Sequence, residues 1–207
     1  MKTYNSIQKY KEDHLGKHIF SFEKIDGSNF RAEWDRKLSK KTSFTNGFGK
    51  FGTRREAIHK NHPFIEAVGI FENKYAEDLD KLFTEEKIFR GVQRITVYGE
   101  FYGAHSFAGR HDWEESHDVV IFDVFLYKKA YLPPAEFVRT FSTFDIPILE
   151  YRGPLTEEYI ERVQNGDGEG RVYKGTDNQK VFMGKIKTHQ WLNKVKELYG
   201  EAVMLEY

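Results

Sequence analysis

Phe22-Glu23-Lys24-Ile25-Asp26-Gly27-Ser28-Asn29 is the most informative stretch of this 207-residue chain. It closes an alternating run, His18-Ile19-Phe20-Ser21-Phe22-Glu23, that reads as a strand. A second strand is expected over Asn29–Trp34, and Asp26-Gly27-Ser28 between them is a turn signal, so the pair reads as a hairpin-like unit. A lysine at the end of an apolar strand is unusual, because such a place costs an ammonium part of its hydration. Alone, the segment equally describes a strand-end surface lysine.

Four later segments change that weight. Val97-Tyr98-Gly99-Glu100-Phe101-Tyr102-Gly103 puts a carboxylate at the end of a buried strand. Val120-Ile121-Phe122-Asp123-Val124-Phe125 is an apolar strand interrupted by an acid. Gly168-Glu169-Gly170-Arg171-Val172-Tyr173-Lys174 sets Glu and Lys around a strand start. In Lys185-Ile186-Lys187 the two lysines share one strand face, since side chains alternate with period two.

Between these segments the chain alternates irregularly between strands and helices. Strands are expected over 94–102, 119–126, 146–150, 171–173 and 181–186. Helices are expected over 63–83, 133–144, 156–164 and 188–199, the last stopped by Gly200. Residues 40–53 read as a polar, glycine-rich loop with a short strand, and 103–117 as a histidine-containing loop. The order favours an α+β fold over a doubly wound sheet.

Composition narrows the chemistry. There are no cysteines, which excludes disulfides, thiolate zinc, iron–sulfur clusters and cysteine nucleophiles. Lys+Arg and Asp+Glu are 32 each, and a net charge of zero at face value speaks against phosphate binding. The zero is a cancellation. Residues 1–60 hold 14 Lys/Arg against 7 Asp/Glu, residues 61–170 hold 11 against 21, and residues 171–207 hold 7 against 4. No apolar run approaches the ~18–20 residues of a membrane span, and the N-terminus has no signal-peptide core, so a soluble intracellular protein is expected.

Two apparent motifs carry less. Gly47-Phe48-Gly49-Lys50-Phe51-Gly52 satisfies G-x-G-x-x-G but lacks the βαβ context of a dinucleotide site and the partner motifs of a kinase. His105, His111 and His117 are spaced six and six, which fits no ligand pattern on one helix.

Taken together, Lys-x-Asp-Gly, Gly-Glu, Phe-Asp, Glu-Gly-x-Val-x-Lys and Lys-x-Lys, in order from residue 24 to 187, resemble the motif set of the covalent nucleotidyltransferases. These are the DNA ligases, RNA ligases and mRNA capping guanylyltransferases. DNA ligases and capping enzymes usually carry Arg two residues after the motif glycine; Asn29 stands there, as in the phage RNA ligase 2 branch. The opening Lys2-Thr3-Tyr4-Asn5-Ser6-Ile7-Gln8-Lys9-Tyr10 is also similar to the start of those ligases. Two departures stand out. Asp26 occupies the place of a histidine in RNA ligase 2, and the arginine about twenty residues after the nucleophile has no clear match, with Lys40, Lys41, Arg54 and Arg55 as candidates.

The resemblance implies a ligase adenylylation fold, with antiparallel sheets and flanking helices around a nucleotide cleft. Residues 1–207 would form a single adenylyltransferase domain, without the OB or helical domain that follows in relatives. It implies an ATP-dependent RNA ligase joining 3′-OH and 5′-phosphate ends. Lys24 is the implied nucleophile, forming lysyl-AMP. Glu23, Asp26, Gly27, Asn29, Glu100, Phe122, Lys174, Lys185 and Lys187 are the implied nucleotide-binding residues. Phe122 would stack on adenine, Glu100 would bind ribose, and Lys185 and Lys187 would hold the α-phosphate. Glu169, with Glu100, is the implied site for Mg2+ or Mn2+, which suits hard carboxylate oxygens. The expected partner is RNA or a nicked RNA/DNA duplex, with no membrane, and the chain is expected to act as a monomer in the cytoplasm; the resemblance also suggests a phage-encoded protein acting in its host. The alternatives are a DNA nick ligase, a capping guanylyltransferase, or a self-adenylylating module that binds nucleic-acid ends and needs a partner to seal.

Overall fold

Strands β1 (His18–Glu23) and β2 (Ser28–Asp35) form where the sequence puts them, yet they do not pair with each other. This overturns the expected hairpin. The four residues between them carry the chain from one sheet to another. A computed structural model describes residues 1–40, 46–104 and 114–200, which fold as two compact units. The first comprises Met1–Asn5, Gly27–Leu132 and Glu136–Ile146; the second comprises Ser6–Asp26, Pro133–Ala135 and the chain from Pro147 onward.

The first unit holds an antiparallel sheet of order β3-β2-β4-β5, with β3 at Phe48–Thr53, β4 at Arg94–Tyr102 and β5 at Asp118–Leu126. The glycine-rich run that mimics a phosphate loop is therefore edge strand β3, with no crossover helix after it. Alternation sends Phe30, Ala32 and Trp34 of β2, and Ile95 and Val97 of β4, into one core. A short helix α1 (Arg36–Ser39) follows β2. The helix expected over 63–83 covers the core as α2 (Ile65–Phe71), a π-helical turn (Glu72–Ala76) and α3 (Glu77–Glu85). Phe71, Leu79 and Phe83 on that stripe are fully buried, each contributing roughly 1.5–3 kcal/mol. The π turn lets the consecutive residues Lys74 and Tyr75 both reach β5: Lys74 bridges Asp118 (2.6 Å) and Asp145 (2.8 Å), and Tyr75 donates to the Val119 carbonyl (2.6 Å). Helix α4 is Pro134–Thr140, shorter than expected.

The opposite face of this sheet carries the N-terminal residues. Tyr98 donates to the Lys2 carbonyl (2.9 Å), Arg31 to the Thr3 hydroxyl (2.9 Å), and Tyr4 to Asp123 (2.9 Å). Burial first, then the Asp123 charge, pushes the Tyr4 hydroxyl well above its ordinary range.

The second unit holds an antiparallel sheet of order β6-β1-β7-β8, with β6 at Leu149–Pro154, β7 at Gly170–Asp177 and β8 at Lys180–Lys187. Two short expected strands are thus a hairpin of two eight-residue strands, turned at Asn178 and Gln179, both with positive φ. Strand β6 starts three residues later than expected. Pro147 offers no N–H to a ladder, and pairing with His18–Phe22 sets the register instead. Helices α5 (Glu157–Gln164) and α6 (His189–Tyr199) complete the unit, capped by Thr156 and Thr188. Ile19, Leu155, Tyr159, Ile160, Val163, Tyr173 and Ile186 form its core. Among the described residues of the chain, no helix is long and apolar enough to cross a membrane.

Candidate active site

In the second unit, register decides which side chains meet. Phe22 pairs with Val172, Val172 with Lys185, and Gly170 with Lys187. Ile19, Tyr173 and Ile186 point into the core. Period two therefore sends Phe20 and Phe22 of β1, Lys174 of β7, and Lys185 and Lys187 of β8 to the other face. The end of β1 is pinned on both sides: the Glu23 amide donates to the Ile148 carbonyl (2.9 Å), and the Lys24 amide to the Gly170 carbonyl (3.0 Å).

This brings the nucleophile candidate to a carboxylate. Lys24 Nζ donates to Glu169 Oε2 at 2.8 Å, and Lys187 Nζ donates to the other oxygen, Oε1. Glu169 and Lys187 are buried, while Lys24 is partly open. Lys187 is pulled down to about 8, by burial first and then by the like charges of Lys24 and Lys185, with Glu169 pulling the other way. Lys174 is buried too, its ammonium 5.7 Å from the centre of the Phe22 ring.

Gly170 makes the close approach possible. Its φ is +141°, and a Cβ there would lie 2.9 Å from the Lys187 Cα and overlap the Ile186 carbonyl. The motif glycine lets β7 start tight against β8, with Glu169 at its entrance.

Asn29, Glu100 and Phe122 lie in the first unit, on the sheet face away from its core. Asn29 and Glu100 are cross-strand partners. A bulge pairs Tyr98 with Asp123 and Gly99 with Ile121, so Phe122 is the extra residue. Its ring is edge-on to Tyr4 (5.1 Å between centroids) and offset-stacked on Tyr98 (6.5 Å). Asp26 is the last residue of its segment in the second unit, and Gly27 begins the first. Gly27 is needed for space rather than for an unusual φ: a Cβ would sit 2.5 Å from the Phe101 carbonyl oxygen and 2.9 Å from the Glu100 Cγ.

Of the cations that follow the nucleophile, Lys40 is exposed at the end of α1. Arg54 and Arg55 are exposed just beyond β3, where the chain turns back so that the Thr53 amide donates to the Glu56 carbonyl (2.9 Å). Lys41, His105 and His111 lie outside the described residues. His117 is held by Glu66 (2.8 Å) and the Ala104 carbonyl (2.7 Å), and this carbonyl, more than Glu66, pushes its pKa up. Among the described residues, no group of three or more His, Cys, Asp or Glu is placed to hold a metal ion. Glu169 and Glu100 belong to different units. A divalent ion here fits only the magnesium-type pattern of one carboxylate completed by nucleotide phosphates and water.

Sequence reading missed Trp191. The Lys187 ammonium lies 3.7 Å from the centre of its ring. The only sequence trace is the Thr188 helix cap, which fixes where α6 starts.

A family model described as RNA ligase matches residues 17–192. The chain belongs to the RNA ligase family. No curated protein matches it significantly. Among solved structures, this RNA ligase family chain is similar to Naegleria gruberi RNA ligase with PPi, at 17% identity and a TM-score of 0.66, covering 95% of this chain and 58% of that one. A mutant of the same ligase with AMP and Mn gives 18% identity and a TM-score of 0.66, over 95% and 59%. Another mutant, with ATP and Mn, gives 20% and 0.61, over 90% and 53%. The chain therefore spans between half and three fifths of the length of these relatives. At such identities the likeness establishes the fold, an α+β pair of antiparallel four-stranded sheets with helices.

Proposed function

We propose that this chain is the nucleotidyltransferase of an ATP-dependent RNA ligase, with Lys24 as nucleophile. The observation that carries the proposal is the Lys24–Glu169–Lys187 cluster, a partly open amine sharing one buried carboxylate with a buried lysine. An amine attacks only when neutral, and an ordinary lysine is almost fully protonated at pH 7. Glu169 is hydrogen-bonded to Lys24 and holds its Nζ in place, and the proton leaves to solvent before attack. The neutral Nζ then attacks the α-phosphorus of ATP. A P–N bond forms, the bond to pyrophosphate breaks, and pyrophosphate leaves. Lys185 and Lys187, on the same sheet face, offset the charge that builds on the α-phosphate oxygens, and Lys174 extends that cationic face.

In the second step an oxygen of the RNA 5′-phosphate attacks the same phosphorus, breaks the P–N bond and frees Lys24. In the third, the 3′-hydroxyl attacks the activated 5′-phosphate and AMP leaves. A bound Mg2+ or Mn2+ would supply charge neutralisation at the phosphates, with Glu169 as its protein ligand and Glu100 as the second carboxylate of the family motifs. Phe122 offers a ring for adenine, and Asn29 and Glu100 polar groups for phosphate and ribose. Arg54 and Arg55, exposed just beyond β3, are candidates for the cation that normally follows the nucleophile. Glu23, Asp26 and Gly27 fix the backbone on either side of Lys24. The ends joined are RNA ends, including those at a nick in an RNA/DNA duplex.

Incubation with ATP labelled at the α-phosphate should transfer label to the wild-type protein and none to Lys24→Ala. Label on the alanine variant would overturn the assignment. Sealing of nicked duplexes with RNA or DNA on the 3′-OH side then fixes the strand preference.

A further inference from the structure

Lys187 has a long side chain with many rotamers, and its place in the proposed chemistry requires one of them. Two contacts and burial define that rotamer. Its ammonium donates to Glu169, it is buried, and it sits 3.7 Å from the centre of the Trp191 ring, well inside the range of a cation–π contact. The start of α6, which carries Trp191, is tied to the backbone around Glu169. The Thr188 hydroxyl donates to the Gly168 carbonyl (2.7 Å) and accepts from the Trp191 amide (3.1 Å). The Thr188 amide donates to the Glu169 carbonyl (3.3 Å). One fully buried threonine thus links the backbone on both sides of the Lys187–Glu169 pair to the first turn of α6.

We propose that Trp191 is a positioning residue, whose indole face fixes the Lys187 ammonium beside Glu169 and Lys24 and so presents it to the nucleotide phosphate. The inference rests on the reading of this cluster as an adenylylation site. Indole has the strongest face for a cation, phenyl a weaker one, and an aliphatic side chain none. A purely structural tryptophan would be replaceable by any large apolar group.

The test compares Trp191→Phe, Trp191→Leu and, as a stability control, Val195→Ala, which opens the core one turn along α6 at another fully buried residue. Two readouts are used. The first is the rate of label transfer to Lys24 at saturating ATP, together with the KM for ATP, corrected for folded fraction. The second is the NMR shift of the Lys187 ε-methylene, assigned by its loss in Lys187→Met. Wild type and Trp191→Phe should show an upfield ring-current shift that Trp191→Leu lacks. Trp191→Leu should slow labelling by about tenfold with little change in KM, Trp191→Phe should recover most of the rate, and Val195→Ala should label at the wild-type rate. Trp191→Leu labelling as fast as Val195→Ala, or a Lys187 methylene without an upfield shift in wild type, would overturn the proposal. If Trp191→Leu does not fold, Trp191→Met carries the same expectations. If wild-type protein takes no label, the adenylylation reading fails, whereas the NMR shift still decides the contact.

Discussion

Gly170→Ala is the sharpest perturbation of the site, because it adds one methyl group at the point where the two halves of the cluster join. Two costs add. Gly170 has φ +141°, a region that L-residues rarely adopt, and holding an alanine there costs about 1–3 kcal/mol. The new Cβ would also lie 2.9 Å from the Lys187 Cα and 3.0 Å from the Ile186 carbonyl carbon. These are backbone atoms, which cannot swing aside as a side chain can, so β8 must shift, at a further cost of about 1–3 kcal/mol. The expected loss is therefore about 4 kcal/mol, which moves a urea midpoint down by roughly 1.5 M for a chain of this size. The shift falls on Lys187, directly opposite Gly170, so label transfer to Lys24 should also drop well beyond the loss of folded protein. Gly69→Ala is the control. Gly69 lies within α2 with open space around it, and alanine there should stabilise by about 0.5–1 kcal/mol. The assay is urea unfolding by circular dichroism, with labelling of the folded fraction. A midpoint within about 0.3 M of wild type, or an unchanged labelling rate, would refute the reasoning.

Two further outcomes follow from buried charge. Lys187 is held near 8 in the fold against 10.5 in a free chain, so between those values the unfolded chain binds more protons than the folded one. Holding it there, buried and beside like charges with only Glu169 in compensation, costs about 3 kcal/mol at neutral pH, and the cost fades as pH rises through 8 toward 10.5. The unfolding free energy of wild type minus that of Lys187→Met should rise by about 2 kcal/mol between roughly pH 7.5 and 9.5; a flat difference would count against the burial of this charge. Tyr4→Phe removes a donor from the buried Asp123 carboxylate and should cost about 1–3 kcal/mol in urea unfolding. A change under about 0.5 kcal/mol would show that the pair adds little to stability.

Strands β1, β2, β4 and β5 were legible because alternation and β-branched or aromatic runs are local signals. The helices expected from Thr156 and Thr188 begin there, with each threonine as the cap. The hairpin between β1 and β2 was misread because Asp26-Gly27-Ser28 favours a turn, whereas pairing depends on distant partners: Val172 for Phe22, and Gly99 for Phe30. The glycine-rich run over 47–52 misled in another way, since its glycines accommodate an edge strand and a close approach by the Arg31 side chain at Gly52. The zero net charge hid a polarity that the second unit makes concrete, with Lys174, Lys185 and Lys187 on one sheet face.

By itself the sequence determined the chemical inventory. It gave a strand-end lysine, an ordered set of acids and lysines, and no thiol. Such facts survive in one dimension because they depend on residue type and spacing. Tertiary structure alone decided which carboxylate faces Lys24, which lysine is buried beside it, and that an indole lies under that lysine's ammonium. Lys24 and Glu169 are 145 residues apart, and only the register of β1 on β7 and of β7 on β8 brings them within 2.8 Å. Burial, which pulls Lys187 down to about 8, is likewise a property of the packed sheet and absent from the chain.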